Sequence, residues 1–239
     1  MTTARTLPPV DDVPPVDETD RREPRWVRPF VIAAAALVLL LVGATGGLLV
    51  GRSGQVEVPA ADSVDVGFLQ DMSVHHTQAV EMASWERDHT TDPALRQLAY
   101  DIESTQTGQI GRMQGWLELW GASSQPVGRP YMTWMTASPT GAHDHTVTAG
   151  GVTTMPGMAS ADDLKKLRSL SGKDLDVLFL QLMLRHHEGG ATMLSDAAQN
   201  ASEEPVRNLA AQMLSSQTAE AQYLEQLLTA RGATPLPPT

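Results

Sequence analysis

Beyond residue 67, apolar side chains recur at intervals of three and four residues, which places them on one face of a helix. The first such stripe consists of Phe68, Met72, His75, Ala79 and Met82. Three further stripes begin at Leu95, Leu175 and Val206. Breaks at residues 91–93 and 200–205 each contain a proline, which suits the first turn of a following helix. The pattern therefore predicts two helical hairpins.

The two hairpins are copies of one sequence unit. The segment from Phe68 to Met82 reappears 111 residues later as Phe179 to Met193, and the register holds without a gap to Leu117 and Leu228. An ungapped repeat of this length indicates one supersecondary element that is used twice. Two hairpins that each carry one apolar stripe bury these stripes by packing face to face. We therefore predict an all-α four-helix bundle over residues 67–231.

A different pattern precedes the repeats, where residues 30–50 are apolar or small and carry no charge. Their number matches the ~20 residues that a helix needs to cross a bilayer, and we predict a transmembrane helix at 30–51. Four arginines precede this helix and only Arg52 follows it closely. The positive-inside rule then places the N-terminus in the cytoplasm and the bundle outside the cell membrane. A signal peptide cleaved after Ala60 and a buried core helix are the alternatives.

The remaining segments have no helical period. Residues 1–29 are rich in proline and acidic side chains, which predicts a disordered cytoplasmic tail. We predict a linker at 52–66, a long crossover that contains Met and His at 121–161, and a flexible C-terminus at 232–239. A crossover of this length is often either functional or disordered. Its candidate residues for a second metal site are His143, His145, Met155 and Met158.

Composition excludes several classes of function. The formal net charge of −11 argues against a nucleic-acid partner, because phosphate binding needs a basic face. The chain has no cysteine, so neither a lipoprotein anchor nor a disulfide framework is available. It also contains no glycine-rich phosphate loop, no Gly-x-Ser-x-Gly elbow and no His-Glu-x-x-His helix. We therefore predict no catalytic residues and expect a protein that is not an enzyme.

The candidate chemistry lies in the repeated histidine pairs. His75 and His186 occupy the interior stripes, whereas His76 and His187 lie about 100° round the helix, at the edge of each stripe. Repeat symmetry would bring the two pairs together across the bundle. Four methionines flank the pairs at helical spacing: Met72, Met82, Met183 and Met193. Imidazole binds several transition metals and thioether selects soft ions, so the set predicts a copper ion. Such a site should weaken as the pH falls through ~6.5.

Two other interpretations use the same residues. In the first, the histidines are hydrogen-bonded core residues that Gln106 and Gln217 satisfy, and the bundle is an interaction module that binds an envelope protein or a second copy of itself. The second is a ferritin-like oxidase with a di-iron centre, which requires several glutamates. The repeat does not conserve such a set, since Glu103 corresponds to Leu214.

The second copy, Phe179–Met193, closely resembles the bacterial family called domain of unknown function 305. The sequence pattern of that family is a Phe, an apolar run that ends in Met, a His-His pair, a small residue and a second Met. In this chain, Met155–Met158 and Ser171–Gly172 precede that pattern. The resemblance covers residues 62–231. It implies a ferritin-like helical bundle that is exported or membrane-anchored, and some relatives are regarded as copper-binding.

The family also tends to carry Gln-x-x-Glu in the helix that follows each histidine pair. Gln217 and Glu220 match this pattern in the second hairpin. Gln106 and Gln109 depart from it in the first, where the carboxylate is replaced by an amide. This departure argues against any role that needs a carboxylate in the first hairpin.

Overall fold

The computed structural model describes residues 24, 26–53, 58–135 and 150–239. Within these ranges the secondary structure is helical, apart from one bridge between Tyr131 and Val152. The helices are α1 (Val27–Ser53), α2 (Val64–His89), α3 (Pro93–Leu119), α4 (Ala161–Ser169), α5 (Gly172–Asn200) and α6 (Glu204–Ala230). The chain divides into two compact units, residues 1–57 and 58–239.

The first unit contains α1. Its residues Val27–Leu48 form a stretch of 22 residues that is long and apolar enough to cross a membrane, and none of it is buried. The helix begins three residues before the predicted 30–51 span and ends two residues after it. The predicted tail lies outside the described residues, except for its last few positions.

The second unit contains the predicted four-helix bundle. Helices α2 and α3 form one hairpin, α5 and α6 form the other, and α2 packs against α5 to join them. The all-α prediction is confirmed. Helix α2 begins at Val64, earlier than the predicted linker allows, because the Ser63 hydroxyl caps it by accepting a hydrogen bond from the Val66 amide at 3.2 Å.

Each hairpin holds the turn of the other through an aspartate that the repeat conserves. Buried Asp65 in α2 accepts hydrogen bonds from the amides of Ser202 and Glu203, at 2.9 and 2.8 Å. Asp176, its counterpart in α5, accepts one from the Thr90 hydroxyl at 2.8 Å. The turn at 90–92 thus depends on the second hairpin, and the turn at 201–203 on the first.

The Asp65→Ala substitution should destabilise the bundle. Helix α6 has no side-chain cap of its own, so the substitution leaves two amides at its start without their acceptor. We expect the free energy of unfolding to fall by about 1–3 kcal/mol, measured by chemical denaturation. Exposed Asp101 provides the matched control, and its change to Ala should cost less than about 0.5 kcal/mol. Equal stability of the two variants would contradict this role for Asp65.

The crossover runs over the bundle surface on both sides of residues 136–149. Before the gap, the buried carboxylate of Asp71 accepts hydrogen bonds from the Met132 amide at 2.6 Å and from Trp134 Nε1 at 2.8 Å. The indole ring of Trp134 covers Gly67, where an added Cβ would come within 2.4 Å of it. His143 and His145, proposed from the sequence as part of a second metal site, lie outside the described residues.

Residues 232–239 differ from the flexible terminus that the sequence suggests. Leu236 packs against the apolar core, and the Thr234 carbonyl accepts a hydrogen bond from Gln181 Nε2 at 2.7 Å. At the end of the chain, the Thr239 hydroxyl accepts one from the Gly157 amide at 3.1 Å. A proline-rich segment has no helical period, so the sequence carries no signal for these contacts.

Candidate metal centre

The candidate site is a polar layer that divides the bundle core. Along α2, Met72 belongs to one apolar cluster and Met82 to another, and His75 lies between them. Along α5 the order is reversed, because Leu184 belongs to the cluster of Met82 and Met193 to that of Met72. The two helices therefore run antiparallel and cross at their histidines.

Six buried polar side chains form this layer. Each has at most 6 % of its surface exposed: His75, His76, His186, His187, Gln106 and Gln217. The sequence placed His76 and His187 at the edge of the stripe, and in the fold these two imidazoles are buried as well. Both are buried because each imidazole points toward the second helix of its own hairpin, where it meets Gln109 or Glu220.

The central pair meets across the interface of α2 and α5. The ring centroids of His75 and His186 lie 3.8 Å apart with 33° between the ring planes. The two outer imidazoles lie at similar distances from their neighbours in the central pair. The ring centroids are 6.5 Å apart for His75 and His76, and 6.4 Å apart for His186 and His187. Rings whose centroids are this close leave no space for an ion between them, so any ligand must bind at their edges.

Hydrogen bonds determine which nitrogen of the central imidazoles carries the proton. His75 Nε2 donates to the Pro156 carbonyl at 3.3 Å, and His186 Nε2 donates to the His75 carbonyl at 3.0 Å. Carbonyl oxygens only accept, so both neutral rings are protonated at Nε2. Their Nδ1 atoms then carry a lone pair, which is the form that binds a metal.

The outer imidazoles also use Nε2 for a hydrogen bond, but their partners are side-chain oxygens. His76 Nε2 lies 2.8 Å from Gln109 Oε1, and His187 Nε2 lies 2.5 Å from Glu220 Oε2. The partners suggested from the sequence, Gln106 and Gln217, lie one turn earlier and do not make these bonds. Metal-binding histidines commonly donate their second nitrogen to a carboxylate or carbonyl, which fixes the ring.

The layer presents unpaired lone pairs to the interior. Six buried atoms of the layer itself have no hydrogen-bond partner among the described protein atoms: Nδ1 of His75, His76, His186 and His187, and Oε1 of Gln106 and Gln217. All six are acceptors in these tautomers. A buried acceptor without a donor costs about 1–3 kcal/mol, so the layer suits a cation or water as its missing partner.

Burial also keeps His75, His76 and His186 neutral. It lowers the pKa of His75 to about 4 and that of His76 to about 3, and it lowers the pKa of His186 well below its usual value. Repulsion from neighbouring histidines acts in the same direction. The weakening of metal binding that the sequence suggests near pH 6.5 should therefore occur at lower pH.

A crossover segment that the sequence analysis did not connect with the histidines orients His75. Gly157 has φ +79°, and an added Cβ there would come within 2.5 Å of the Arg185 carbonyl. A Cβ on Gly189 would come within 2.4 Å of the Pro156 oxygen. The two glycines let the backbones touch, which brings the Pro156 carbonyl to His75. In the sequence, the Met155–Met158 motif marked this segment, but it suggested metal-ligating side chains and gave no sign of a backbone acceptor for His75.

Space beside His75 comes from a third glycine. The position that a Cβ on Gly190 would take lies 3.6 Å from both His75 Nδ1 and Gln217 Oε1. Both are unpartnered acceptors, so they face the same small volume. A larger residue at position 190 would fill it.

The donor set fits a soft or borderline cation better than a hard one. Neutral imidazole nitrogens dominate the layer, and the four candidate methionines are fully buried, two in each adjoining cluster. Among the described residues, no group of three His, Asp or Glu side chains is arranged to hold a metal ion. The acceptors left without a partner in this layer are imidazole Nδ1 atoms and glutamine amide oxygens.

The fold and the site define a class of protein: a bundle of two repeated hairpins with four imidazoles buried between them. Residues 65–228 match the family described as domain of unknown function (DUF305), and the chain belongs to this family. It is 43% identical to a DUF305 protein from Streptomyces coelicolor, described as a proposed secreted protein. That match covers 74% of this chain and 99% of the other, with a TM-score of 0.66.

Two more distant relatives are also similar. The crystal structure of CopM in its Cu(II)-bound form is 25% identical, and the match covers 70% of this chain and 96% of that chain with a TM-score of 0.50. An uncharacterized protein of Acanthamoeba polyphaga mimivirus is 37% identical over 54 residues, which is 23% of this chain. The chain spans 36% of the length of that curated relative.

Proposed function

We propose that this chain is a membrane-anchored, extracytoplasmic protein that binds copper and buffers, sequesters or hands on the ion. The observation that carries the proposal is the set of six buried acceptors in the histidine layer, which have lone pairs but no donor among the described residues. Copper is the cargo in this proposal, and no catalytic step is involved.

The residues that would hold the ion follow from the tautomers. The candidate ligands are the Nδ1 atoms of His75, His76, His186 and His187, because their Nε2 atoms are occupied by hydrogen bonds. In this arrangement an ion would contact at most two of the four imidazoles at a time. The accessory ligands are Met72, Met82, Met183 and Met193. Thioether sulfur favours copper(I) over zinc, magnesium or calcium. The copper-bound structure of CopM supports this choice of metal.

The proposed location rests on α1 and its flanks. A stretch of 22 residues in this helix is suited to a membrane, and more arginines precede it than follow it. This distribution favours a cytoplasmic N-terminus and an external bundle. The description of the Streptomyces coelicolor relative as a proposed secreted protein supports an external location.

The test is a copper(I) titration of the full chain in detergent micelles, without oxygen and against a competing chelator. The informative variant is His75→Gln/His186→Gln, because the glutamine amide can replace the Nε2–H donor while the Nδ1 lone pair is lost. We expect copper affinity to fall by at least about tenfold.

His89→Gln is the matched control, because His89 lies exposed at the end of α2 and stacks on Trp85. This variant should bind copper like the wild type. Equal affinity of all three proteins would contradict the proposal. The hydrogen bonds at every Nε2 would then favour the alternative, in which the histidines are core residues of a module that binds an envelope protein, and a pull-down with the anchored chain should recover that partner.

A further inference from the structure

A cleft between α5 and α6 leads from the surface to the histidine layer. It is a cavity of about 250 Å³, and its floor consists of the buried residues Leu184, His187, Leu194 and Gln217. His187 and Gln217 are members of the layer, and each carries one of its unpartnered acceptors. The cleft therefore ends at the candidate ligands.

The rim of this cleft is acidic. Glu188 from α5 and Glu225 from α6 both line the cavity, and both are exposed. Two carboxylates beside a narrow opening produce a negative potential that attracts cations and disfavours anions. The half-buried walls include two small residues, Ala191 and Ala221, which leave the cleft open between the helices.

The repeat shows that these features are specific to the second hairpin. In the first hairpin Val80 and Ile110 stand at the positions of Ala191 and Ala221, so larger side chains occupy the corresponding walls. Thr77 and Gln114 stand at the positions of Glu188 and Glu225, so both carboxylates are replaced by uncharged groups. The histidine and the glutamine of the floor are retained as His76 and Gln106.

We infer that the α5–α6 cleft is the port through which a soft monovalent cation reaches the histidine layer. The inference rests on the proposed function, because it assigns the path of the same ion. The acidic rim concentrates the cation, the two alanines let it pass, and His187 is the first imidazole that it meets. The port controls the rate of binding and release, whereas the layer determines the affinity.

The decisive variant transfers the walls of the first hairpin to the second: Ala191→Val/Ala221→Ile. Silver(I) is the probe, because it resembles copper(I) and does not change oxidation state during mixing. In the full chain in detergent, stopped-flow uptake should slow by at least about tenfold while the equilibrium affinity stays within about twofold. The control Ala211→Val/Ala219→Ile adds the same atoms to exposed positions of α6 outside the cleft and should bind at the wild-type rate.

A second variant protects the test against misfolding. Glu188→Gln/Glu225→Gln changes only exposed side chains and removes the charge of the rim. Uptake should slow several-fold at low salt, and its dependence on ionic strength should weaken. The inference would be contradicted if the Ala191→Val/Ala221→Ile and the Glu188→Gln/Glu225→Gln variants both took up silver(I) at the wild-type rate.

Chemical modification tests the port without any metal. Diethyl pyrocarbonate acylates unprotonated imidazole nitrogen, and peptide mass spectrometry resolves each histidine. We expect His187 to react several-fold faster than His76, and the Ala191→Val/Ala221→Ile variant to remove this difference. Equal reaction of His187 and His76 in the wild type would overturn the port. Faster reaction of His187 in a chain that binds no silver or copper would support the cleft and reject the proposed cargo.

Discussion

Lowering the pH from 6.5 to 4.5 is expected to reduce the free energy of unfolding by about 4 kcal/mol. His75, His76 and His186 all have a folded-state pKa below the ordinary value of 6.5, mainly because of burial. Below pH 6.5 the unfolded chain therefore binds more protons than the folded one, and stability falls with pH. Each group contributes at most about 1.4 kcal/mol per pH unit. Because the unfolded imidazole is already half protonated at pH 6.5, the change over this range is about 2 kcal/mol per group.

Two buried carboxyl groups act in the opposite direction, because burial raises the pKa of Asp71 and, more strongly, that of Glu86. Burial, together with the charge of neighbouring Asp176, raises the pKa of Glu86 to about 8. The folded state keeps this proton above pH 4.5 while the unfolded state loses it, so this group stabilises the fold as the pH falls. Between pH 6.5 and 4.5, the stabilisation from Glu86 offsets the destabilisation from about one of the three histidines. The net loss in the free energy of unfolding is therefore about 4 kcal/mol.

Urea denaturation of the metal-free chain at pH 6.5, 5.5 and 4.5 measures this loss. The Glu86→Gln variant is the informative comparison, because it removes the carboxyl group with the larger opposing effect and leaves the histidine layer unchanged. The free energy of unfolding of this variant should decline more steeply on acidification. The increase in slope should correspond to the uptake of about one further proton per molecule on unfolding. A wild-type stability that is constant over this range would show that the layer takes up protons without unfolding.

The Gly189→Ala substitution is expected to destabilise the bundle by about 2–3 kcal/mol. Its methyl group would come within 2.4 Å of the Gly157 amide nitrogen and the Pro156 carbonyl, both of which are backbone atoms. The crossover segment must then move away from α5. This movement breaks the hydrogen bond from His75 Nε2 to Pro156, which is 3.3 Å long in the native fold.

Gly111→Ala is the matched control, because Gly111 lies exposed in α3 with no atom within 4 Å of the added Cβ. Alanine has the higher helix propensity, so this variant should be about 0.5–1 kcal/mol more stable than the wild type. Thermal and chemical unfolding of the three proteins measures both effects. If Gly189→Ala were as stable as Gly111→Ala, the close contact at Pro156 would not be required for the fold.

The bundle could be predicted from the sequence because its periodicity is repeated. The prediction of residues 67–231 agrees with α2 to α6 except at the first turn, where Ser63 caps α2 ahead of the apolar stripe. The C-terminal segment could not be predicted, because Leu236 and Thr239 contact residues that are close only in the folded chain.

All four histidines were predicted as candidate ligands, but the periodicity of a single helix predicts complete burial only for the central pair. His75 and His186 share the stripe of their helices, so helical spacing alone predicts their burial. The burial of His76 and His187 depends on α3 and α6, which supply Gln109 and Glu220 as hydrogen-bond acceptors. Helical spacing within one helix does not report on the helix beside it.

The sequence by itself determined that the chain has two matching hairpins, an apolar span and a histidine pair on each repeated stripe, since these properties depend on neighbours within a few turns. Only the tertiary structure decided which ring nitrogen remains free. His75 obtains its acceptor from a residue 81 positions away, and His186 from one 111 positions away. Such pairings depend on how the crossover and the helices pack, because a hydrogen bond requires atoms to meet within about 3 Å.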